Sequence, residues 1–478
     1  MNEYVGTAPD IIEMELNMEI NPCTGKHKIT ILCEDIRKFW VENYLIKDID
    51  MIDFPLGLAV THMLPGDPVW GFLVAQSSSL KSEIIRSFGE VENDYIHPSS
   101  KLTENAILSG SHEETLADRL NGKIWIFKDL TTLLGMRHER LEVVAGNMRE
   151  IYDGYITMDS GKLNNSVHVK VHTTMIAGVT PDVIDGKSRL FKAEVGERVL
   201  HKRFEHFKDE DSDKLLEFLE QDEFKVNVKR KEISLKMSLL LEEIFKQKKK
   251  YDECDYDIKI KNKDTQKLIM NLAKFLAKMR ISVMWDFKQE NIDDIGTPEG
   301  PARLYLQLKK LAAAFMIVKG KEEIDDIVLT SISKVVMDTM PRKRFVCLLP
   351  FIVNNECWKE NKGIDNMKML DYGKLVHGMG QTTITRKLQE LEEMNVLTNT
   401  KPYNGKNKEK DEKIDIEKEM NKDDSMLKKL NKRFNVKQSE YISTNSWYLT
   451  KEFIKDNEAV LNFIKIAYKN EYVPKSLT

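Results

Sequence analysis

Trp70 to Ile85 reads WGFLVAQSSSLKSEII: an apolar run, a small polar turn, a Lys-Ser pair and a helix-like run, in that order. Phe72-Leu73-Val74 suits a buried strand, Gln76-Ser77-Ser78-Ser79 supplies turn residues, and Glu83 to Phe88 has the pattern of a helix. A phosphate-binding loop needs this layout. Backbone N–H groups at a helix N-terminus cradle phosphate, a Lys reaches the terminal phosphates, and a Ser holds Mg²⁺. Against the pattern GxxxxGK(S/T), Lys81 and Ser82 match, while Ala75 and Leu80 replace the two glycines. Those glycines let the backbone turn tightly and approach a nucleotide. Without them the same stretch also reads as a buried strand leading through a serine turn into a helix.

The chain around this loop has 478 residues, enough for two to four domains. Its formal charge of −4 carries no global basic signature, so any nucleic-acid face must be local. The five cysteines (Cys23, Cys33, Cys254, Cys347, Cys357) form no CxxC pair, which points to reduced thiols and away from a zinc site. His97, His112, His138, His168, His172, His201, His206 and His377 show no metal-ligand spacing on one helix face and read as ordinary surface or core residues. No apolar run approaches membrane-spanning length, and the N-terminus lacks a signal-peptide pattern. The expectation is a soluble, cytoplasmic protein.

Residues 1–50 read as a short preface, with strand-like stretches at Ile11–Ile20 and Lys28–Leu32 and a helix from Glu34 to Ile46. From 51 to 210, short apolar runs alternate with helical stretches, as in a mainly parallel α/β sheet. The expected strands are Gly71–Val74, Lys123–Phe127, Val167–Val171, Thr174–Gly178 and Val199–Phe204. Residues 211–341 are dominated by long amphipathic segments: Lys231–Tyr251, Thr265–Trp285, Pro301–Val318 and Ile324–Met340. A third unit spans 342–478, interrupted at 404–437 by a Lys/Glu/Asp/Asn-rich stretch with few large apolar residues.

Several features extend the loop. Lys123-Ile124-Trp125-Ile126-Phe127-Lys128-Asp129 is an apolar strand ending in an acid, as a Walker B strand should, and Asp129 could hold Mg²⁺ beside Ser82. The next residue is Leu130, where a water-polarising Glu is usual. Met175 to Val179 is a further strand, ending at Thr180-Pro181, where a polar sensor residue would sit. Gly196-Glu197-Arg198 opens another strand, and Arg198 there could reach a neighbouring subunit's γ-phosphate. A surface ion pair is the plainer reading of such an arginine.

Taken in order from about Pro65 to Lys343, these pieces resemble the AAA+ ATPases of the minichromosome maintenance helicase clade. Leu116-Ala117-Asp118-Arg119-Leu120-Asn121-Gly122 precedes the Walker B-like strand, and Pro301 to Leu308 looks like the sensor 2 helix with Arg303 at its arginine. The resemblance is closer still to AAA+ proteins of phages, plasmids and archaeal mobile elements. It is carried by Lys128-Asp129-Leu130-Thr131, Arg149-Glu150-Ile151-Tyr152-Asp153-Gly154, Gly178-Val179-Thr180-Pro181 and Gly196-Glu197-Arg198. It implies an AAA+ P-loop core with a parallel sheet and a helical lid. It also implies binding of ATP and Mg²⁺ by Ser77, Ser78, Ser79, Lys81, Ser82 and Asp129, with Thr180, Arg198 and Arg303 acting on the γ-phosphate. Assembly into a homo-oligomer, a ring or partial ring, follows from the role given to Arg198. Leu80 is the main departure, since the left-handed backbone of a glycine would strain Leu by roughly 1–2 kcal/mol. Weak nucleotide binding is therefore expected ahead of fast hydrolysis.

The C-terminal unit carries an independent signal. Arg344–Val353, Met369–Gly378 and Thr382–Asn395 read as three helices, followed by strands at Val396–Thr400 and Tyr441-Ile442 with Trp447-Tyr448-Leu449. On the third helix, Ile384, Leu388 and Leu391 share a core-facing side, so Arg386 and Lys387 are expected to face outward toward DNA phosphates. This order resembles winged helix-turn-helix domains, which contact DNA or, in many cases, protein. The sequence thus supports a DNA-associated AAA+ protein, a helicase-like or initiator component of mobile-element replication. The alternative is a non-enzymatic DNA-binding regulator or structural factor whose AAA+ core is a relic.

Overall fold

The computed structural model describes residues 27–468, apart from 45, 47, 77–79, 90–93, 101, 103–114, 135, 161–164, 183, 185–197, 205–222, 253–257, 287, 289–290, 355–356, 358, 361 and 401–445. The loop serines Ser77, Ser78 and Ser79, the pair Gly196-Glu197, the stretches Ile11–Ile20 and Tyr441-Ile442, and the charged insertion 404–437 lie outside the described residues. The chain divides into two compact units. One comprises Met1–Arg280, Pro298–Arg342 and Ala459–Lys469, and the other Ile281–Thr297, Lys343–Glu458 and Asn470–Thr478.

The first unit is α/β. Its strands are β1 (Trp70–Val74), β2 (Ile96–Ser99), β3 (Ile124–Phe127), β4 (Tyr155–Ser160), β5 (Asn165–Lys170), β6 (Thr174–Val179) and β7 (Val199–Arg203). Five of them form a parallel sheet in the order β2-β3-β6-β1-β7, with Trp70 level with Met175 and Val199, and Val74 level with Val179 and Arg203. β4 and β5 form a separate antiparallel hairpin, so Val167–Val171, expected in the main sheet, is not part of it. Its polar-apolar alternation suits a hairpin with one covered face.

The central strands β1, β3 and β6 are buried throughout because helices cover both sheet faces. The helices ahead of the long C-terminal half are α1 (Lys28–Asn43), α2 (Asp50–Thr61), α3 (Lys81–Gly89), α4 (Leu116–Leu120), α5 (Thr131–Leu134) and α6 (His138–Tyr152). Trp70, Phe72, Trp125, Phe127, Met175 and Ala177 share a core cluster with Leu141, Val144, Met148 and Ile151 of α6. On the other face α2 lies so close to β1 that a Cβ at Gly71 would meet Leu58 and Phe54. Lys28–Leu32, read above as a strand, is the first turn of α1. Ile29, Cys33, Ile36 and Trp40 recur at helical spacing and are all buried, and that longer period overrides the local alternation.

Residues 211–341 contain the helices α7 (Glu223–Asp252), α8 (Lys263–Met279), α9 (Pro301–Val318) and α10 (Asp326–Thr339). The helix expected over Thr265–Trp285 stops at Met279. Val283–Trp285 is instead strand β8, paired with β9 (Ile292–Ile295), and this hairpin belongs to the second unit.

A buried ionic network ties α2 to α9, α10 and β7. Asp50 accepts from Lys319 at 3.3 Å, Lys334 at 2.7 Å and the Ser331 hydroxyl at 3.0 Å. Asp53 pairs with Arg37 and Lys319 at 2.5 Å each, and the fully buried Lys202 of β7 pairs with Asp338 of α10 at 3.1 Å. Burial alone would raise the Asp50 carboxyl, but Lys319, Lys334 and Lys202 outweigh it and hold it well below the carboxylate range. The stabilisation it gives is present above the unfolded value near pH 4 and is lost only in strong acid.

The second unit contains α11 (Arg342–Val353), β10 (Ile364–Asp365), α12 (Asn366–His377), α13 (Gln381–Glu393), β11 (Leu397–Asn399) and β12 (Ser446–Leu449). Its strands form an antiparallel sheet in the order β10-β12-β11. Gly378 ends α12 in the left-handed region at φ 61°, and a Cβ at Gly373 would meet Ile384, so α12 and α13 cross at that bare position. Among the described residues no helix is long and apolar enough to cross a membrane.

Asp50→Ala removes the acid that Lys319, Lys334 and Ser331 share, leaving Lys319 with Asp53 and Lys334 with Asp48. It is expected to cost about 3–5 kcal/mol, read as a lower urea midpoint at pH 7. A midpoint unchanged within error would remove the network from the fold's stabilising interactions.

Candidate functional site

The strand order places a topological switch point at the C-terminal ends of β1 and β6. The chain leaving β1 travels to β2 at one edge of the sheet, and the chain leaving β6 travels to β7 at the other. Where neighbouring strands send their chains apart, an open α/β sheet has its binding crevice. Lys81, the first residue of α3, lies at this point and is 4 % exposed. Its Nζ donates to the carbonyl of Ala75, just past β1, at 3.0 Å and to that of Val179, the last residue of β6, at 3.1 Å. Burial lowers its pKa from the ordinary lysine value, and only the charge of Asp129 acts in the other direction.

Asp129 follows β3 and is exposed. Its Oδ1 accepts from the Thr131 backbone N–H at 2.8 Å, capping α5, and the Thr131 hydroxyl lies 3.4 Å from that of Thr180. Gly178 makes this convergence possible. A Cβ there would lie 2.6 Å from the Lys128 carbonyl oxygen, 2.9 Å from Ile85 Cδ1 and 3.3 Å from Lys81 Cδ. The Gly178 carbonyl also accepts from Leu130 N–H at 2.9 Å. Lys81, Ser82, Asp129 and Thr180 are thus gathered at one end of the sheet. Thr131, to which the sequence reading gave no role, joins them, and the Asp-x-Thr turn before a helix was its visible signal.

Leu80 does not carry the strain expected of it. Among the described residues Asn395 is the only non-glycine with positive φ, so the backbone at 80 is of an ordinary kind. The Leu80 carbonyl accepts from Ile84 N–H at 2.9 Å as the opening bond of α3. The helix is held further along by Glu83, which takes a bidentate pair from Arg230 of α7 at 2.8 and 2.9 Å.

Arg198 and Arg303 are not brought to this crevice. Arg198 precedes β7, level with the start of β1; at about 3.3 Å per residue the strands put roughly 15 Å between it and the Lys81 level. Its guanidinium bonds Asp153 through Nε at 3.2 Å and Nη2 at 2.9 Å and stands over the Tyr152 ring. Its side chain is 9 % exposed. Arg303, in the first turn of α9, acts electrostatically on Tyr152 at that same end. Gln307, one turn on, donates to the Tyr152 hydroxyl and to the Arg198 carbonyl, each at 2.7 Å. The side-chain row Arg303–Gln307–Lys310 follows the strand starts, which carries both arginines away from Lys81.

In the second unit, Ile384, Leu388 and Leu391 are buried as the stripe predicts, but Lys387 does not face outward. It pairs with Glu390, which is 1 % exposed and also bonds Arg344 at 2.9 Å and Trp285 Nε1 at 3.0 Å. Arg386 is half-buried, its guanidinium 5.9 Å from the Trp285 ring centroid. At about 100° per residue Lys387 lies only about 60° from the centre of the apolar stripe, close enough to be drawn to a buried acid. Neither the hairpin carrying Trp285 nor the burial of Glu390 was legible in the pattern.

No family model matches the chain, and no curated protein matches it.

Gly178→Ala forces the Lys128 carbonyl or β6 to shift and is expected to destabilise the protein by about 1–3 kcal/mol, seen in the denaturation midpoint. An alanine variant as stable as the parent would mean that the strand ends are not tightly packed there.

Proposed function

We propose that the first unit binds a nucleoside triphosphate in the crevice at the ends of β1 and β6, as an AAA+-type P-loop module. The reading is carried by one observation: the Lys81 amine, at the head of α3, sits between the terminal carbonyls of the two strands whose chains diverge. The N–H groups of the first turn of α3 lack helical partners, and with a lysine in their midst they favour an anion. The strand order supports the added-strand arrangement, because β6 lies between the loop strand β1 and the acid-bearing strand β3.

The residues fit Mg²⁺ as well. Ser82 lies in the first turn of α3, and Asp129 spends Oδ1 on Thr131 while remaining exposed. Bound there, the ion would neutralise charge on the phosphate oxygens. Thr180 and Thr131 offer hydroxyls at the crevice rim. Arg198 has no part in this reading, since its guanidinium is committed to Asp153, and the reading does not require a ring. Binding without appreciable turnover follows, which also accommodates a regulator that uses nucleotide as a structural ligand.

The second unit, in this reading, is a winged helix that contacts DNA. Its support is the α12–Gly378–α13 turn followed by β11 and β12, with exposed Gln381 and Thr382 opening α13 and Arg386 along it. The whole chain would then be a helicase-like or initiator component in the replication of a mobile element.

Lys81→Ala should lower affinity for ATP·Mg²⁺ by at least about tenfold, a loss of one charge-assisted contact, while the fold persists. Equal affinities in titration calorimetry of parent and variant would sink the nucleotide site. For DNA, Arg386→Glu and Lys387→Glu should part company. Arg386→Glu should leave the unfolding midpoint near the parent's and reduce the salt slope of duplex binding by about 1. Lys387→Glu sets a second carboxylate beside buried Glu390 and should destabilise the second unit itself. If Arg386→Glu leaves the slope unchanged, this helix does not touch phosphate.

A further inference from the structure

The opposite end of the sheet, where the strands begin, gathers basic side chains from several segments of the first unit. His62 caps the C-terminus of α2, His172 precedes β6, Lys310 lies on α9 and Lys248 on α7. The rings of His62 and His172 are 5.6 Å apart, and Phe245 covers His62 at 5.0 Å. His62 is satisfied: Nε2 lies 3.0 Å from the Gly122 carbonyl, so it carries the proton, and Nδ1 lies 3.3 Å from the Thr174 hydroxyl. His172 is not. Its backbone N–H donates to Asn121 Oδ1 at 3.0 Å, but its ring Nε2 is buried with no hydrogen-bond partner. Lys310 is buried and gives two of its three N–H groups to the carbonyls of Gly66 at 2.9 Å and Asp67 at 2.8 Å.

The charges acting on the two rings, Lys248 and Lys310, are both positive; the acid facing Lys310 is Asp67, which is itself exposed. His172 and Lys248 are half-buried and Gly66 is exposed, so the cluster reaches solvent on that side. Among the described residues, a buried ring nitrogen without a hydrogen-bond partner lies within electrostatic reach of a buried lysine amine, and an anion suits both.

We propose that this cluster is a binding site for a small divalent oxyanion of the phosphate class, with His172 Nε2 and Lys310 Nζ as its donors and Lys248 at its mouth. A duplex backbone is a poor candidate, because both donor atoms are buried. The protonation of the cluster supports the same occupant. Burial, with Lys310 and Lys248, pushes His172 down to about 3, and burial with Lys248 pushes Lys310 down to about 7. Both values lie below those of the unfolded chain. As pH falls from about 10 toward 7 the unfolded state therefore takes up the Lys310 proton ahead of the folded state. Below about 6.5 it takes up the His172 proton as well, so the fold loses stability over both ranges. A dianion reverses that preference, so binding draws protons onto His172 and Lys310.

The test uses the full chain and inorganic phosphate, with chloride at matched ionic strength as reference. Phosphate should raise the melting temperature more than chloride does, and the difference should be larger at pH 6 than at pH 8.5. His172→Gln and Lys310→Met should each abolish the difference. Lys81→Ala should retain it, which separates this site from the nucleotide crevice whatever the fate of that reading. On the parent protein, the His172 ring nitrogens followed by NMR should titrate about 1–3 pH units higher in phosphate than in chloride, a readout that needs no variant to fold. A phosphate effect equal in parent and both cluster variants, or a His172 titration indifferent to phosphate, would overturn the proposal.

Discussion

The missing Cβ of Gly178 is the constraint on which the candidate site depends. Three segments use the space it leaves: the carbonyl end of β3 at Lys128, the α3 face at Ile85, and the stem of Lys81. With them in place, the Gly178 carbonyl fixes Leu130 and thereby the turn that holds Asp129, while the adjoining Val179 carbonyl takes one of the Lys81 protons. One bare position therefore links the acid after β3 to the lysine after β1, although the two strands are not neighbours. The crossover order of the sheet brings the segments near each other, and the glycine lets them touch.

The two ends of the sheet have different chemistry for the same topological reason. Chain exits diverge at the C-terminal ends, leaving a lysine, an acid and two hydroxyls around a crevice. At the N-terminal ends the incoming segments converge instead, and α9 lies along them with Gln307 and Lys310 inward. There the polar groups are mostly bonded to backbone carbonyls and to each other, as Gln307 to Tyr152 and Arg198 to Asp153. His172 Nε2 and Gln307 Oε1 are buried there without a hydrogen-bond partner.

What could be read in the sequence follows from burial. β1, β3 and β6 are covered on both faces and so appear as short continuous apolar runs. β2 is an edge strand of four residues containing His97 and Pro98 and has no such signature. Lys81, Asp129 and Thr180 all follow strand ends, and in a parallel sheet that is enough to bring them to one end. Arg198 and Arg303 precede or open their elements, and linear order does not say that such positions lie at the far end of the sheet. Lys387 shows another limit: a helical wheel gives direction, but the pull of a buried Glu390 is a tertiary fact. His62 and His172 are far apart in sequence, so no spacing rule could pair them.

The departure of the loop from its glycine pattern takes on a different meaning in this geometry. Leu80 is buried and has no positive φ, so it costs the fold nothing through its backbone. Its effect would fall on approach, because a branched side chain limits how closely a phosphate can lie to the first turn of α3. Lys81 sets a second condition. Its amine already has two carbonyl partners and is discouraged from carrying charge by burial. A phosphate entering the crevice must replace at least one of those bonds, and it also favours the charged amine. Exchange of one strong contact for another makes a ligand's net gain modest, whereas a lysine left pointing into solvent would offer its full charge. Binding as proposed at this crevice would thus be limited by a latch internal to the sheet, the two bonds from Lys81 to the carbonyls of Ala75 and Val179.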